Sequence, residues 1–267
     1  MTGLTYLQFH LGVLVMGLLW LVPVTAILRR RTRRPLWEGR EYWLGVAIVA
    51  TIALLYTIPW DNYLIARGVW WYGENRVLAH LWLAPVEEYL FILAQPFLTA
   101  LWASHLSIPE WREDPVRVRP RIAAGAVALA IGAVGAAMLL TQPTVYLGAI
   151  LVWAAPVFLL QWVVGAPQLL VARRTLMVGT LVPTVYLWVA DWIAIDQGIW
   201  VFSGALTTGV SILGLPVEEA VFFLVTNLFV VQGLVLYRWV LDRWGFEAIA
   251  RSVRGRGAGF RGWVVGR

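Results

Sequence analysis

Long apolar runs, broken by short polar stretches and clusters of arginine, set the pattern of this chain. A helix that crosses a bilayer needs about 20 mostly apolar residues. Seven stretches qualify: residues 4–28, 42–59, 78–106, 122–141, 146–171, 176–195 and 207–237. The first has no basic residue before it and no small-residue cleavage site after it, so it reads as a retained span and not as a leader. The pattern predicts an all-α, polytopic membrane helix bundle of seven transmembrane helices.

The arginines then orient the bundle. Arg29, Arg30, Arg31, Arg33, Arg34 and Arg40 follow the first span, Arg112, Arg117, Arg119 and Arg121 the third, and Arg173 and Arg174 the fifth. Arg238, Arg243, Arg251, Arg254, Arg256, Arg261 and Arg267 follow the seventh. In a seven-span reading all of these share one side, and the other holds only Arg67 and Arg76. Cytoplasmic loops collect positive charge, so the C-terminus is expected in the cytoplasm and the N-terminus outside, in the cell membrane.

Composition sharpens this. The chain of 267 residues is 60% hydrophobic and 13% charged, against about 25% charged in a soluble domain. Its net charge of +6 sits in loops between spans, not on one basic face, which argues against a nucleic-acid partner. There is no cysteine, so thiolate chemistry is excluded. All 21 basic residues are arginine, so no lysine is present to form a Schiff base with retinal.

The chain also repeats itself. Residues 61–70 match 191–200 at an offset of 130, and Tyr56 matches Tyr186. Pro85-Val86-Glu87-Glu88 then matches Pro216-Val217-Glu218-Glu219 at an offset of 131. Each repeat holds three spans, with an Ala- and Gly-rich span between them. That odd connector makes the repeats parallel, related by an axis along the membrane normal. The expected organisation is a first repeat in 1–110, a linker with the connector helix in 111–143, a second repeat in 144–240, and an Arg/Gly-rich tail in 241–267.

Two constellations carry candidate chemistry. Glu87, Glu88, Glu218 and Glu219 lie within apolar runs, where ionisable groups are costly and mark function by default. Neighbours on a helix point about 100° apart, so one of each pair faces a shared interior while the other bonds a neighbour. Two placements compete. An unbroken helix from residue 78 buries the carboxyls as neutral acids. A helix that begins at Pro85 and Pro216 sets them in its first turn, where the dipole favours negative charge. The bland alternative is that they only join helices by hydrogen bonds.

The second constellation is Asp61 with Trp70, Trp71 and Tyr72, and Asp191 with Trp200 and Phe202, on the arginine-poor side. Such rings usually anchor at the membrane interface. Lining a cavity, they would stabilise a cation. The aspartates are supporting groups. His10, His80 and His105 have no metal-ligand spacing, so no metal is expected. Gly257-Ala258-Gly259-Phe260-Arg261-Gly262 fits a dinucleotide pattern but follows no strand, so no nucleotide or flavin cofactor is expected.

The repeated motifs resemble the two domains of the small membrane lycopene cyclases, found as heterodimer subunits or fused in one chain. The resemblance covers most of residues 1–240 and implies a single-function fused cyclase, since no phytoene synthase domain follows. It implies an isomerase of carotenoid biosynthesis that needs no flavin. The reaction is an acid-initiated, redox-neutral cyclisation of the linear ψ end groups of lycopene to β rings, giving β-carotene. The four glutamates are the candidate acid and base. Partners implied are the lipid bilayer, a hydrophobic carotenoid and other carotenoid-pathway enzymes. A fifty-carbon or ε-type cyclase of the same family remains an alternative. So does a proton-coupled transporter, since parallel repeats with intramembrane carboxyls suit that too.

Overall fold

A computed structural model describes residues 4–33, 35–36, 39–111 and 118–245. The glycine-rich tail motif, and Arg34, Arg112, Arg117 and the arginines after 245, lie outside the described residues. Among the described residues seven α-helices form the bundle: α1 (Tyr6–Arg31), α2 (Gly39–Ala66), α3 (Val86–Ala103), α4 (Val118–Met138), α5 (Val145–Val171), α6 (Arg173–Asp196) and α7 (Val217–Trp244). Six are long and apolar enough to cross a membrane. The other, α3, has 18 residues with two glutamates in its first turn. The protein is an all-α membrane bundle.

The third and seventh spans begin later than their hydropathy suggests. Residues 78–85 and 208–216 are not helical at all. They fold into two small hairpins, β2 (His80–Leu81) with β3 (Ala84–Pro85), and β5 (Ser211–Ile212) with β6 (Leu215–Pro216). Pro85 and Pro216 then serve as N-caps. An apolar stretch looks the same as strand or helix when it is this short. Here local hydrogen bonds decide: Asn62 Oδ1 accepts from the backbone N–H of Leu83 and of Ala84, at 2.8 and 2.9 Å. Of the two competing placements, the helix that starts after the proline is the one observed.

The repeats meet in a ribbon. Strand β1 (Trp70–Tyr72) pairs antiparallel with β4 (Trp200–Phe202), and Trp71 faces Val201, its own counterpart. Equivalent strands that pair antiparallel about equivalent residues are related by a two-fold axis. Flanking bonds obey the same symmetry: Gly73 N–H donates to Ile199 O at 3.0 Å, and Ser203 N–H to Val69 O at 2.8 Å. Each strand enters from a helix ended by a glycine at positive φ, Gly68 (70°) and Gly198 (63°), the conformation that glycine adopts without penalty.

Helices α3 and α7 form the centre. Asn227 of α7 accepts from Gln95 at 2.6 Å and Thr99 at 2.5 Å on α3, and donates to Thr184 of α6 at 3.0 Å. All four are buried, and the network satisfies groups that would otherwise be orphaned in an apolar core. Helix α4 packs on α5 through glycines. A Cβ on Gly135 would come within 2.9 Å of Gly148 O, and one on Gly148 within 2.8 Å of Gly135 O.

Candidate active site

The four glutamates divide into two kinds. Glu87 and Glu218 are fully buried and turn back to the hairpins. Glu87 Oε1 accepts from Leu78 N–H at 2.8 Å, and Glu218 Oε1 from Thr208 N–H at 2.7 Å. They hold the non-helical approach to each helix. Glu88 and Glu219, one residue on and about 100° around the helix, face the space between the repeats instead.

There they line one cavity with Asp61 of α2 and Asp191 of α6. Tyr6 of α1 donates to Glu88 Oε2 at 2.7 Å, and Tyr72 of β1 donates to the same oxygen at 3.1 Å. Trp70 Nε1 donates in turn to the Tyr72 hydroxyl at 3.2 Å. Burial, and then the Glu88 charge, raise Tyr72 well above the ordinary phenol range, so its hydroxyl stays a donor. Tyr146 of α5 donates to Glu219 Oε1 at 2.5 Å. By contrast, Asp61 Oδ2 and both Asp191 oxygens make no close hydrogen bond among the described residues, although both side chains are buried and Trp200 lies beside Asp191.

The rest of the wall is aromatic and repeats the two-fold. Tyr6 stacks on Tyr72 at 5.9 Å and meets Trp200 edge-on at 5.0 Å. Tyr146 stacks on Phe202 at 5.9 Å and meets Trp70 at 5.5 Å. Phe91 and Phe222, equivalent at the offset of 131, close the side toward the bundle centre, with Phe223 between them. His10 adds a buried ring whose two nitrogens have no partner among the described residues. The free space is small, about 60 Å³, so side chains must shift to admit anything larger than a few waters.

The sequence therefore placed Glu88, Glu219, Asp61, Asp191, Trp70, Tyr72, Trp200 and Phe202 on residues that the fold brings together. Glu87 and Glu218 fall outside the cavity wall, and Trp71 is half exposed on the far face of the ribbon. Sequence reasoning missed Tyr6, Tyr146, His10, Phe91 and Phe222. Tyr6 and Tyr146 stand at the first turns of α1 and α5, at an offset of 140, so a search at 130 does not align them.

Such a site can hand a proton to an apolar substrate, surround the resulting cation with π faces, and take a proton back. Among the described residues no group of three or more His, Cys, Asp or Glu is placed to hold a metal ion.

Comparison with known proteins agrees. The Lycopene cyclase family model matches residues 5–106 and 143–239. The chain is 50% identical over 210 residues to the Lycopene beta-cyclase of Halobacterium salinarum, covering 78% of this chain and 88% of that one. It is 34% identical over 202 residues to a Bifunctional lycopene cyclase/phytoene synthase of Aspergillus oryzae, covering 72% of this chain and 34% of that one. A second such bifunctional protein, from Podospora anserina, is 32% identical over 211 residues, covering 74% and 36%. No solved structure matches.

Proposed function

This chain belongs to the lycopene cyclase family, and we propose that it is a β-cyclase that closes the linear ψ ends of lycopene to β rings. The observation that carries this reading is the meeting of four carboxyls in one small aromatic cavity between the repeats. The reaction is an isomerisation, so atoms and electrons balance without a redox partner. A proton adds to the terminal alkene and leaves a tertiary cation. The next double bond attacks that cation and closes the six-membered ring. A proton then leaves the ring carbon beside the new cation. We expect no nucleotide, flavin or metal requirement.

Roles follow from hydrogen-bond commitments. Glu88 and Glu219 already take phenol donors, which favour the ionised carboxylate, the form that can receive a proton. Asp191 makes no close hydrogen bond at either oxygen, and its neighbouring polar group is the Trp200 indole, which can only donate. A proton carried there meets no competing acceptor and is available to an alkene. We assign Asp191 as the acid, assisted by Asp61, and Glu88 as the base that takes the final proton. The rings of Trp70, Trp200 and Tyr146 flank the path of the cation, which they stabilise by cation–π attraction.

Orientation belongs to the same proposal. The arginine clusters favour a cytoplasmic C-terminus in the cell membrane, which sets the cavity in the outer half of the bilayer. Reporter fusions at residue 74 and after residue 245 should report opposite sides.

The deciding experiment is pigment analysis of lycopene-accumulating cells that express the chain. Bicyclic β-carotene is the expected product. Unchanged lycopene, with the protein in the membrane, would sink the proposal.

A further inference from the structure

The cavity is too small for a whole carotenoid, so the rest of the substrate must lie elsewhere. Two hollows touch it: one of about 640 Å³ meets it at Trp60 and has Arg67 in its lining, and the other meets it at two rings. A groove of about 530 Å³ runs between α2 and α5 over a floor of α3 and α7, and Phe91 and Phe222 belong both to it and to the cavity. It extends along α7 from Phe222 to Val240, which is about 27 Å at 1.5 Å per residue. That is close to the ~30 Å hydrocarbon thickness of a bilayer and is the length scale of a long polyene. Its lining carries no charged side chain.

The two-fold predicts a matching groove between α1 and α6, and the structure shows it closed. Tyr56 crosses from α2 to Trp153 O on α5 at 2.8 Å, and its counterpart Tyr186 crosses from α6 to Val13 O on α1 at 2.5 Å. Beside Tyr186, however, Trp20 and Trp102 leave only about 10 Å³. The duplication has kept two half-sites of carboxyls and one open track.

We propose that the linear polyene chain of the substrate lies in the α2–α5 groove, with its reacting end passing between Phe91 and Phe222 into the carboxyl cavity. This rests on the cyclase reading above. With one track, the molecule holds one chain in one direction. A second ring therefore requires release of the monocyclic product and re-entry by its other end.

Gly233 allows a clean test. It lies on the groove floor about 16 Å along α7 from Phe222, at 1.5 Å per residue. A Cβ there meets only Val49 at 3.4 Å and Gln161 at 3.7 Å, so a larger side chain grows into the groove. The full chain in lipid vesicles would be given two substrates: lycopene, and a truncated linear polyene with one intact ψ end and half the chain. Gly233→Phe, and Ala53→Phe on the opposite wall, should each lower the ratio of full-length to truncated turnover at least tenfold. Leu129→Phe, on the exposed face of α4, should leave it within twofold of wild type. A ratio unchanged in both groove variants overturns the proposal and leaves the groove to lipid. Wild-type protein that turns over neither substrate overturns the cyclase reading as well. A chase with excess unlabelled lycopene should dilute label out of the bicyclic product. Label carried undiluted from lycopene to the bicycle would overturn the single track.

Discussion

Tyr72 and Phe202 occupy equivalent places in the two repeats, and only the first has a hydroxyl to give to the glutamate of its own half. Glu88 consequently has two phenol donors and Glu219 one. The two repeats are thus unequal at the carboxyl assigned as the base. Tyr72→Phe should slow turnover by about tenfold or more, since hydrogen bonds to charged groups contribute about 1.5–3 kcal/mol. Its KM should stay near wild type. A fall in affinity with unchanged kcat would show that Tyr72 only shapes the wall.

The four repeated glutamates should separate by pairs. Glu88→Gln and Glu219→Gln should lose activity by about 10²-fold or more, the usual contribution of a positioned acid or base. Glu87→Gln and Glu218→Gln keep the oxygen that the hairpin N–H uses, so the folded protein should remain active within a few fold. Glu87→Ala should instead cost stability, about 1 kcal/mol for the lost part-buried hydrogen bond from Leu78 N–H. Turnover per folded molecule and thermal denaturation in detergent separate these cases.

Asp191→Asn retains shape and removes the transferable proton. Turnover should fall by about 10²-fold or more, with substrate still retained, as spectral shifts of bound polyene would report. Asp191→Asn with wild-type turnover would move the acid role to Asp61.

Asn227→Leu should strand Gln95, Thr99 and Thr184 at the centre of the bundle. Each orphaned group costs about 1–3 kcal/mol, so the melting temperature should drop markedly. The product spectrum of the remaining folded protein should stay that of wild type, because the network reaches the groove only at Gln95 and does not touch the carboxyl cavity.

Seven helices were readable from hydropathy because each apolar run is close to or above the spanning length. The hairpins were not. Residues 78–84 and 208–215 are as apolar as the helices they precede, and what turns them is the Asn62 side chain and backbone at positive φ at Trp82 and Leu213. The carboxyl set was readable as a group from its repetition. Which glutamate faces inward was not, since that depends on where α3 and α7 begin. Tyr6 and Tyr146 escaped because the spacing between α1 and the rest of its repeat differs from that between α5 and its own. His10 carried no spacing signal at all.

The ribbon of Trp70–Tyr72 with Trp200–Phe202 also bears on how the protein matures. Its partners are 130 residues apart in sequence, and such distant contacts form slowly because the intervening chain must first be ordered. A nascent first half, already inserted, carries Glu88 and Asp61 without Tyr146, Trp200 and Phe202, the rings that the second half adds to the wall. The carboxyl cavity comes into being only at the final docking event, so chemistry cannot begin on a half-built enzyme.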